Sequence, residues 1–444
     1  MMKNKVFFND ALKIAAGIVA EVNLPQNILP LFIRDMHGRI RIAIDAEKER
    51  CQDISTQLVE ALDSLGAYAG NGEKNVLFRE DFFDPDSIFQ SQDILDTYLP
   101  GSDTPFRLLD RQIVGQEWLR PDKPVEGGTL HHKFPRLVFY GLKGGIGRST
   151  ALAMLAYELA RSGKRVLLID FDLESPGLSG LLLPPDRLSD FGIVDWFIED
   201  GVGQGDEVLR RMVSVSPLSG YTQGEIRIAA AMGLDENFYL PKLSRVYTDL
   251  PKSDGVERFS QRVRRLVETL EAQEKPDVVL IDSRAGLHDL AAVSIVGLAT
   301  FAFLFAVDSA QTWQGYHLLF SHWQAHPTVL RAVRDKLVTV EALFPETDQS
   351  VRADIFLEHA YNLFSETLYE RIEPGKEQDP EVFNFDMKDD AAPHYPLRIK
   401  WNNRFQEFDP LLLSKGILTD TDIAAAFGDF LVGARRLIEE EGSL

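Results

Sequence analysis

The nine residues Leu142-Lys143-Gly144-Gly145-Ile146-Gly147-Arg148-Ser149-Thr150 constrain this chain more than any other stretch. They follow an apolar segment, Leu137-Val138-Phe139-Tyr140, that reads as a buried strand. They precede an alanine- and leucine-rich run, residues 151–160, that reads as a helix. A glycine-rich turn between a strand and a helix can curl with its amides pointing inward. The helix N-terminus adds a partial positive charge, so the turn forms a cradle for phosphate. The flanking strand and helix supply the context that such a turn needs to be read this way.

Two further motifs follow in order. In Arg165-Val166-Leu167-Leu168-Ile169-Asp170-Phe171-Asp172 an apolar run ends in acids, which describes a buried parallel strand delivering carboxylates at its C-terminal edge. The spacing of Asp170 and Asp172 sends both side chains to the same side of an extended chain. In Asp277-Val278-Val279-Leu280-Ile281-Asp282 the pattern repeats, and Ser283-Arg284-Ala285-Gly286-Leu287 follows. A phosphate cradle near acids that can hold a divalent cation is the equipment of phosphoryl transfer, which needs positioning and charge more than covalent help.

The loop departs from the common form GxxxxGK[ST]. Leu142 stands in place of the first glycine, Lys143 comes early, and Arg148 takes the usual lysine position. This pattern resembles the deviant phosphate loop of the ParA/MinD family, and the arginine narrows the resemblance to the KGGVGR-motif variant ATPases. The resemblance implies an α/β fold, a mainly parallel doubly wound P-loop NTPase sheet, here preceded by a small α+β N-terminal domain. It implies ATP and Mg²⁺ as cofactors, a homodimer, and an ATPase acting as a nucleotide-driven dimerisation switch. Lys143 would reach the nucleotide of a partner subunit, and Asp172 would orient the attacking water. Asp170 would help hold the magnesium shell, and Asp282 would be the Walker B aspartate. The amides of Gly144, Gly145, Ile146, Gly147, Arg148 and Ser149 would hold the β-phosphate. Ser149 would ligate Mg²⁺ with Thr150 beside it, and Lys143 and Arg148 would neutralise developing charge. Gly286 fits the second switch. The family has proline or a small residue more often at the position of Arg284, which is either a charge that moves with the switch or a surface arginine.

Arg148 is not a neutral replacement for lysine, because its planar fork is bulkier and points differently. The loop therefore argues for nucleotide binding more directly than for fast hydrolysis, and a nucleotide-gated scaffold with negligible hydrolysis is the alternative. A metabolite kinase or amidoligase would need a substrate motif that the sequence does not display. KGGVGR-type proteins are suspected components of bacterial conflict and anti-phage systems. ATP is the default nucleotide by resemblance, although Leu337–Pro345 lacks the asparagine that relatives place there. The segment Pro393-His394-Tyr395-Pro396 with Leu397–Ile399 is the candidate for the second base-holding element.

The chain has 444 residues and a formal net charge of −21, which opposes nonspecific DNA binding on average. Its short basic runs, Arg210-Arg211, Arg262 with Arg264-Arg265, and Arg435-Arg436, read as solvated helix faces. The acidic end, Glu439-Glu440-Glu441, would be repelled by anionic lipid. Neither nucleic acid nor membrane is expected as a partner. A single cysteine, Cys51, allows no internal disulfide and suits the cytoplasm.

Residues 1–120 are expected to form the α+β domain, of no evident chemistry, with 121–135 a linker and 136–444 the ATPase domain. In the first part, Ala11–Val22 and Ile54–Leu65 read as helices, the former capped by Asn9 or Asp10. Leu31–Ile33, Arg39–Ile44 and Asn75–Phe78 read as strands, and Leu108–Leu119 as a docking helix. Asp172 and Asp282 lie 110 residues apart. The surplus, in Leu188–Ser219 and Asn237–Gln273, reads as insertions for an unknown protein partner or a dimer interface. His322 and His326 share a helix face, where core packing outweighs metal binding.

Overall fold

The computed structural model describes residues 5–441 except 23, 25–27, 71, 99–104, 122–132, 236, 253–254, 373–381, 406–408 and 410–417. Most of the expected linker therefore lies outside the described residues. The chain divides into two compact units, residues 1–116 with 322–328, and residues 117–321 with 329–444.

The first unit is built on strands β1 (Leu31–Arg34), β2 (Ile40–Ile44), β3 (Val76–Phe78), β4 (Ile94–Tyr98) and β5 (Pro105–Asp110), in the order β3-β2-β1-β5-β4. β1 and β2 pair antiparallel around a turn at Gly38, whose φ of +83° suits glycine. Helices Phe8–Glu21 and Gln52–Leu62 pack Ala11, Ala15, Leu58 and Leu62 against Phe32, Ile40 and Ile42. The first helix starts before the expected caps. Phe7 is its N-cap, and Phe8 is fixed by an edge contact to Tyr68 and by the Arg34 guanidinium over its ring. The expected helix over Leu108–Leu119 is not formed. Leu108 and Leu109 point to opposite faces of β5, where both are buried beside β1, and only Gln116–Leu119 turns helically. Thr97 Oγ1 donates to Ala325 O at 3.0 Å, which ties 322–328 to this unit. His322 and His326 stack edge to face at 5.4 Å, and burial pushes both rings below the ordinary histidine range, His326 to about 4.

The second unit holds β6 (Arg136–Gly141), β7 (Arg165–Phe171), β8 (Val213–Val215), β9 (Glu225–Ala229), β12 (Val278–Ser283), β13 (Phe301–Ala306), β14 (Leu337–Phe344) and β15 (Leu397–Lys400). Strands β10 (Leu250–Lys252) and β11 (Gly255–Glu257) form a separate hairpin. The large sheet runs β15-β14-β13-β6-β12-β7-β9-β8 and is parallel except for the short edge strand β8. Its central strands are buried on both faces, which is why they read as uninterrupted apolar runs. The last helix, Asp420–Glu441, lays Ile423, Ala426, Phe427, Phe430 and Leu431 into the core, with Phe430 against Phe139, Phe303 and Phe305. Its apolar face is consumed by the fold. Among the described residues no helix is long and apolar enough to cross a membrane.

The basic run near Arg262 is not a solvated face. Arg262 is fully buried and donates to Asp200, Phe197 O and Thr248 O, while Arg265 pairs with Asp200 and Glu257. Arg211 pairs with Asp190, and Arg435 with Glu158. Acidic neighbours thus absorb these cations within the chain.

Candidate nucleotide site

Consecutive strands β6 and β7 are separated in the sheet by β12, which opens a crevice at their carboxyl ends. The glycine loop leaves β6 there and runs into the helix Arg148–Arg161. Gly145 and Gly147 have φ of +75° and +84°, conformations that favour glycine, and Gly147 is the N-cap. A Cβ at Gly144, Gly145 or Gly147 would meet no atom within 4 Å, so the loop's concave side is open. Leu142, in place of the usual first glycine, packs into space that only glycine at 315 leaves free, since a Cβ there would stand 2.6 Å from Leu142 Cδ1.

The two acid-tipped strands meet at this loop. Asp170 on β7 and Asp282 on β12 are paired in register on neighbouring parallel strands, and both are buried. Asp170 accepts from the amides of Asp172 and Leu178, each at 3.2 Å. Asp282 Oδ2 accepts from Ser149 Oγ at 2.6 Å, and its Oδ1 has no hydrogen-bond partner. Burial, with the Asp282 charge adding to it, holds the Asp170 carboxyl well above the ordinary range. Burial likewise pushes Asp282 up to about 6. Two buried carboxylates in need of positive charge, one with an oxygen unpaired, together with a hydroxyl, make an oxygen donor set suited to a hard divalent cation. Among the described residues no three His, Cys, Asp or Glu side chains converge on a metal position. Two carboxylates and a hydroxyl suit Mg²⁺, which takes one or two carboxylates plus phosphate oxygens and water.

The cations are disposed differently. Arg148 is buried. It donates to Ser283 O at 2.5 Å and reaches Asp172 Oδ2 at 3.5 Å, so its head faces the two acid-bearing loops. Lys143 is half-buried and has no hydrogen-bond or ion-pair partner among the described residues. Ile146 lies in the loop, and Thr150 is half-buried in the first helical turn after Ser149. Asp172, partly exposed, is held above its ordinary value by burial and lowered in part by Arg148 and Arg284. Gly286 has φ of +82°, and its amide donates to Gly141 O at 3.1 Å. All the expected site residues thus lie on the glycine loop or the acid-bearing strand ends beside it, apart from the base-holding segment. Pro393 O accepts from Thr339 near the amino end of β14, and His394 is buried against Tyr369. That segment precedes β15, so it sits at the edge of the sheet opposite the loop. Trp401, which follows β15, donates its amide to Phe344 O at the strand's other end.

A cluster that no sequence pattern marks lies between the acid-bearing loops. Glu174 pairs with Arg284 and accepts the Tyr247 hydroxyl, and His288 Nε2 lies 3.8 Å from Glu174 Oε1. Tyr239 donates to Leu173 O at 2.6 Å. A tyrosine pair from the 237–273 insertion thus sits on the first acidic loop.

Residues 137–295 match the profile of the CobQ/CobB/MinD/ParA nucleotide binding domain. Over these residues the chain is similar to that nucleotide-binding domain. The matched span holds the glycine loop and both acid-tipped strands. The chromosome-partitioning ATPase Soj of Thermus thermophilus is 43% identical over 58 residues, 13% of this chain and 23% of that protein. The chain spans less than a quarter of the length of the curated relatives it matches. Among solved structures, pNOB8 ParA aligns with 70% of this chain and 98% of its own, at 14% identity and a TM-score of 0.43. Cobyrinic acid a,c-diamide synthase from Mycobacterium smegmatis, with a bound ATP analogue and magnesium, aligns over 59% and 91% at 15% identity, TM-score 0.37. The matched span lies within the larger compact unit of residues 117–321 and 329–444.

Proposed function

We propose that this chain is an ATP-binding, Mg²⁺-dependent ATPase that works as a nucleotide-driven dimerisation switch. The observation that carries the reading is the Asp170–Asp282 pair beneath an open glycine loop, with Asp282 Oδ1 unpaired and Ser149 beside it. Ser149 and the two aspartates would hold the ion, which supplies positive charge to the phosphate oxygens. The loop amides would cradle the phosphates, and Asp172 would orient the attacking water. Lys143, unpartnered among the described residues, is free to reach the nucleotide of a second copy of the chain.

One observation favours the second reading, a nucleotide-gated scaffold with negligible hydrolysis. Arg148 is already committed to Ser283 O and Asp172, so reaching a γ-phosphate costs it both partners. The loop's resemblance to KGGVGR-type proteins extends either reading to bacterial conflict systems, with an unknown protein partner at the insertions or the N-terminal unit. The acidic net charge and the internally paired arginines speak against DNA as that partner. Steady-state phosphate release with light scattering tests the proposal. Slow release with ATP-dependent dimerisation supports the switch, tight ATP binding with zero release selects the scaffold, and no nucleotide binding overturns both.

A further inference from the structure

Arg284 stands two residues beyond Asp282, and Glu174 two residues beyond Asp172, so their ion pair joins the two acid-bearing loops. The pair is partly buried, with 29% of the arginine and 22% of the glutamate side chain exposed. It is shielded enough to hold and open enough to be reached. Burial raises the proton affinity of Asp172, and Arg148 and then Arg284 offset part of that rise, so the charge of Arg284 is felt on the loop that carries Glu174 two residues further on. The surroundings leave Arg284 as the cation that balances Glu174. His288 is the other basic group nearby, and burial, with Arg284 adding to it, pushes it down to about 4, so it is neutral at pH 7. Tyr247 contributes a neutral hydroxyl. Arg148 is already engaged with Ser283 O and Asp172. Two residues past Arg284, Gly286 adopts φ of +82°, a glycine position on which the loop can pivot.

We propose that Arg284 is the residue that distinguishes a nucleoside triphosphate from a diphosphate. Without nucleotide its guanidinium is held by Glu174. A γ-phosphate, a stronger and multiply charged acceptor for a bidentate guanidinium, takes Arg284 away from that carboxylate. A diphosphate offers nothing at that position, so the latch stays closed. Glu174, released, loses its cation but keeps Tyr247. The exchange is therefore felt by the insertion that carries Tyr239 and Tyr247, whose hydroxyls grip Leu173 O and Glu174. This inference rests on the nucleotide-binding reading and adds to it a specificity-determining residue.

The test is calorimetric titration of the full chain with ATPγS and with ADP, both in Mg²⁺, for wild type, Arg284→Ala, Arg284→Lys and Glu174→Gln. Arg284→Ala should lose about tenfold in ATPγS affinity while ADP affinity holds, the size expected for one charge-assisted contact. Arg284→Lys, which keeps the charge, should retain part of the preference. Glu174→Gln should bind ATPγS more tightly and ADP unchanged, a gain that a merely structural pair cannot give. Equal losses for both nucleotides in Arg284→Ala, or an unchanged ATPγS affinity in that variant, would overturn the inference and leave nucleotide binding standing. A wild-type chain that takes up neither nucleotide would overturn both.

Discussion

Both sheets of this chain set charged residues opposite each other at matched register on neighbouring parallel strands, and they treat them in opposite ways. In the five-stranded unit Arg34 of β1 faces Asp110 of β5, and the two close on each other through paired hydrogen bonds. In the eight-stranded sheet Asp170 faces Asp282. Two buried carboxylates cannot satisfy each other, and burial raises the proton affinity of both, with the Asp282 charge adding to the rise at Asp170. The first pair completes a fold. The second leaves a charge deficit that a divalent cation and a phosphate-bearing ligand can fill. The contrast teaches that a carboxylate at a strand end signals function only when its register partner fails to neutralise it.

The sharpest way to break the comparison is Asp282→Asn. It should cost about 100-fold or more in Mg²⁺-dependent nucleotide affinity, read by calorimetry, while the nucleotide-free protein melts at a higher temperature because the like-charge pair is gone. A variant that melts lower and binds as before would make Asp282 an ordinary structural acid. Arg34→Met should do the reverse, destabilising the first unit by about 2 kcal/mol in denaturant titration and leaving nucleotide affinity unchanged. Lys143→Ala should weaken the ATP-bound dimer by about tenfold in light scattering, the order of one charge-assisted contact, whereas Asp172→Ala should preserve the dimer and slow phosphate release. Unchanged dimerisation in both would remove the dimerisation switch.

The smallest effect is a pH trend. Asp282 has a folded value of about 6, above its ordinary 3.8, so the folded state binds the proton more tightly than the unfolded one. Its contribution to stability is therefore fully present below pH 3.8 and is lost as pH rises to about 6. The difference in melting temperature between wild type and Asp282→Asn should widen across that window in the absence of Mg²⁺, and added Mg²⁺ should narrow it above pH 6. A difference that stays flat with pH would contradict the raised carboxyl.

The large sheet was legible because its central strands are buried on both faces, and continuous apolar runs such as Val278–Ile281 carry that signature in the sequence. The glycine loop and both acid tips were legible for the same reason, since strand, turn and helix follow in order. The three-residue strands β8, β10 and β11 were not, because so short a pairing leaves no periodicity. Leu108–Leu119 misled because adjacent leucines suit a strand buried on both faces as well as a helix. Arg262 misled because a buried, paired arginine and a solvated one look alike until Asp200, 62 residues away, is placed beside it. Glu174 and Tyr247, 73 residues apart, were invisible on the same ground. Pro393–Pro396 falls at the end of the sheet away from the glycine loop, and composition does not say on which side of a strand a loop lies.

The central claim is that the glycine loop and the tips of β7 and β12 form one site for a magnesium-bound triphosphate. Titration of the purified full chain with ATPγS, with and without Mg²⁺, tests it most directly. The account predicts saturable uptake of one nucleotide per chain that Mg²⁺ strengthens and Asp282→Asn weakens by about 100-fold or more. No heat of binding at any Mg²⁺ concentration, or binding that Asp282→Asn leaves intact, would contradict it.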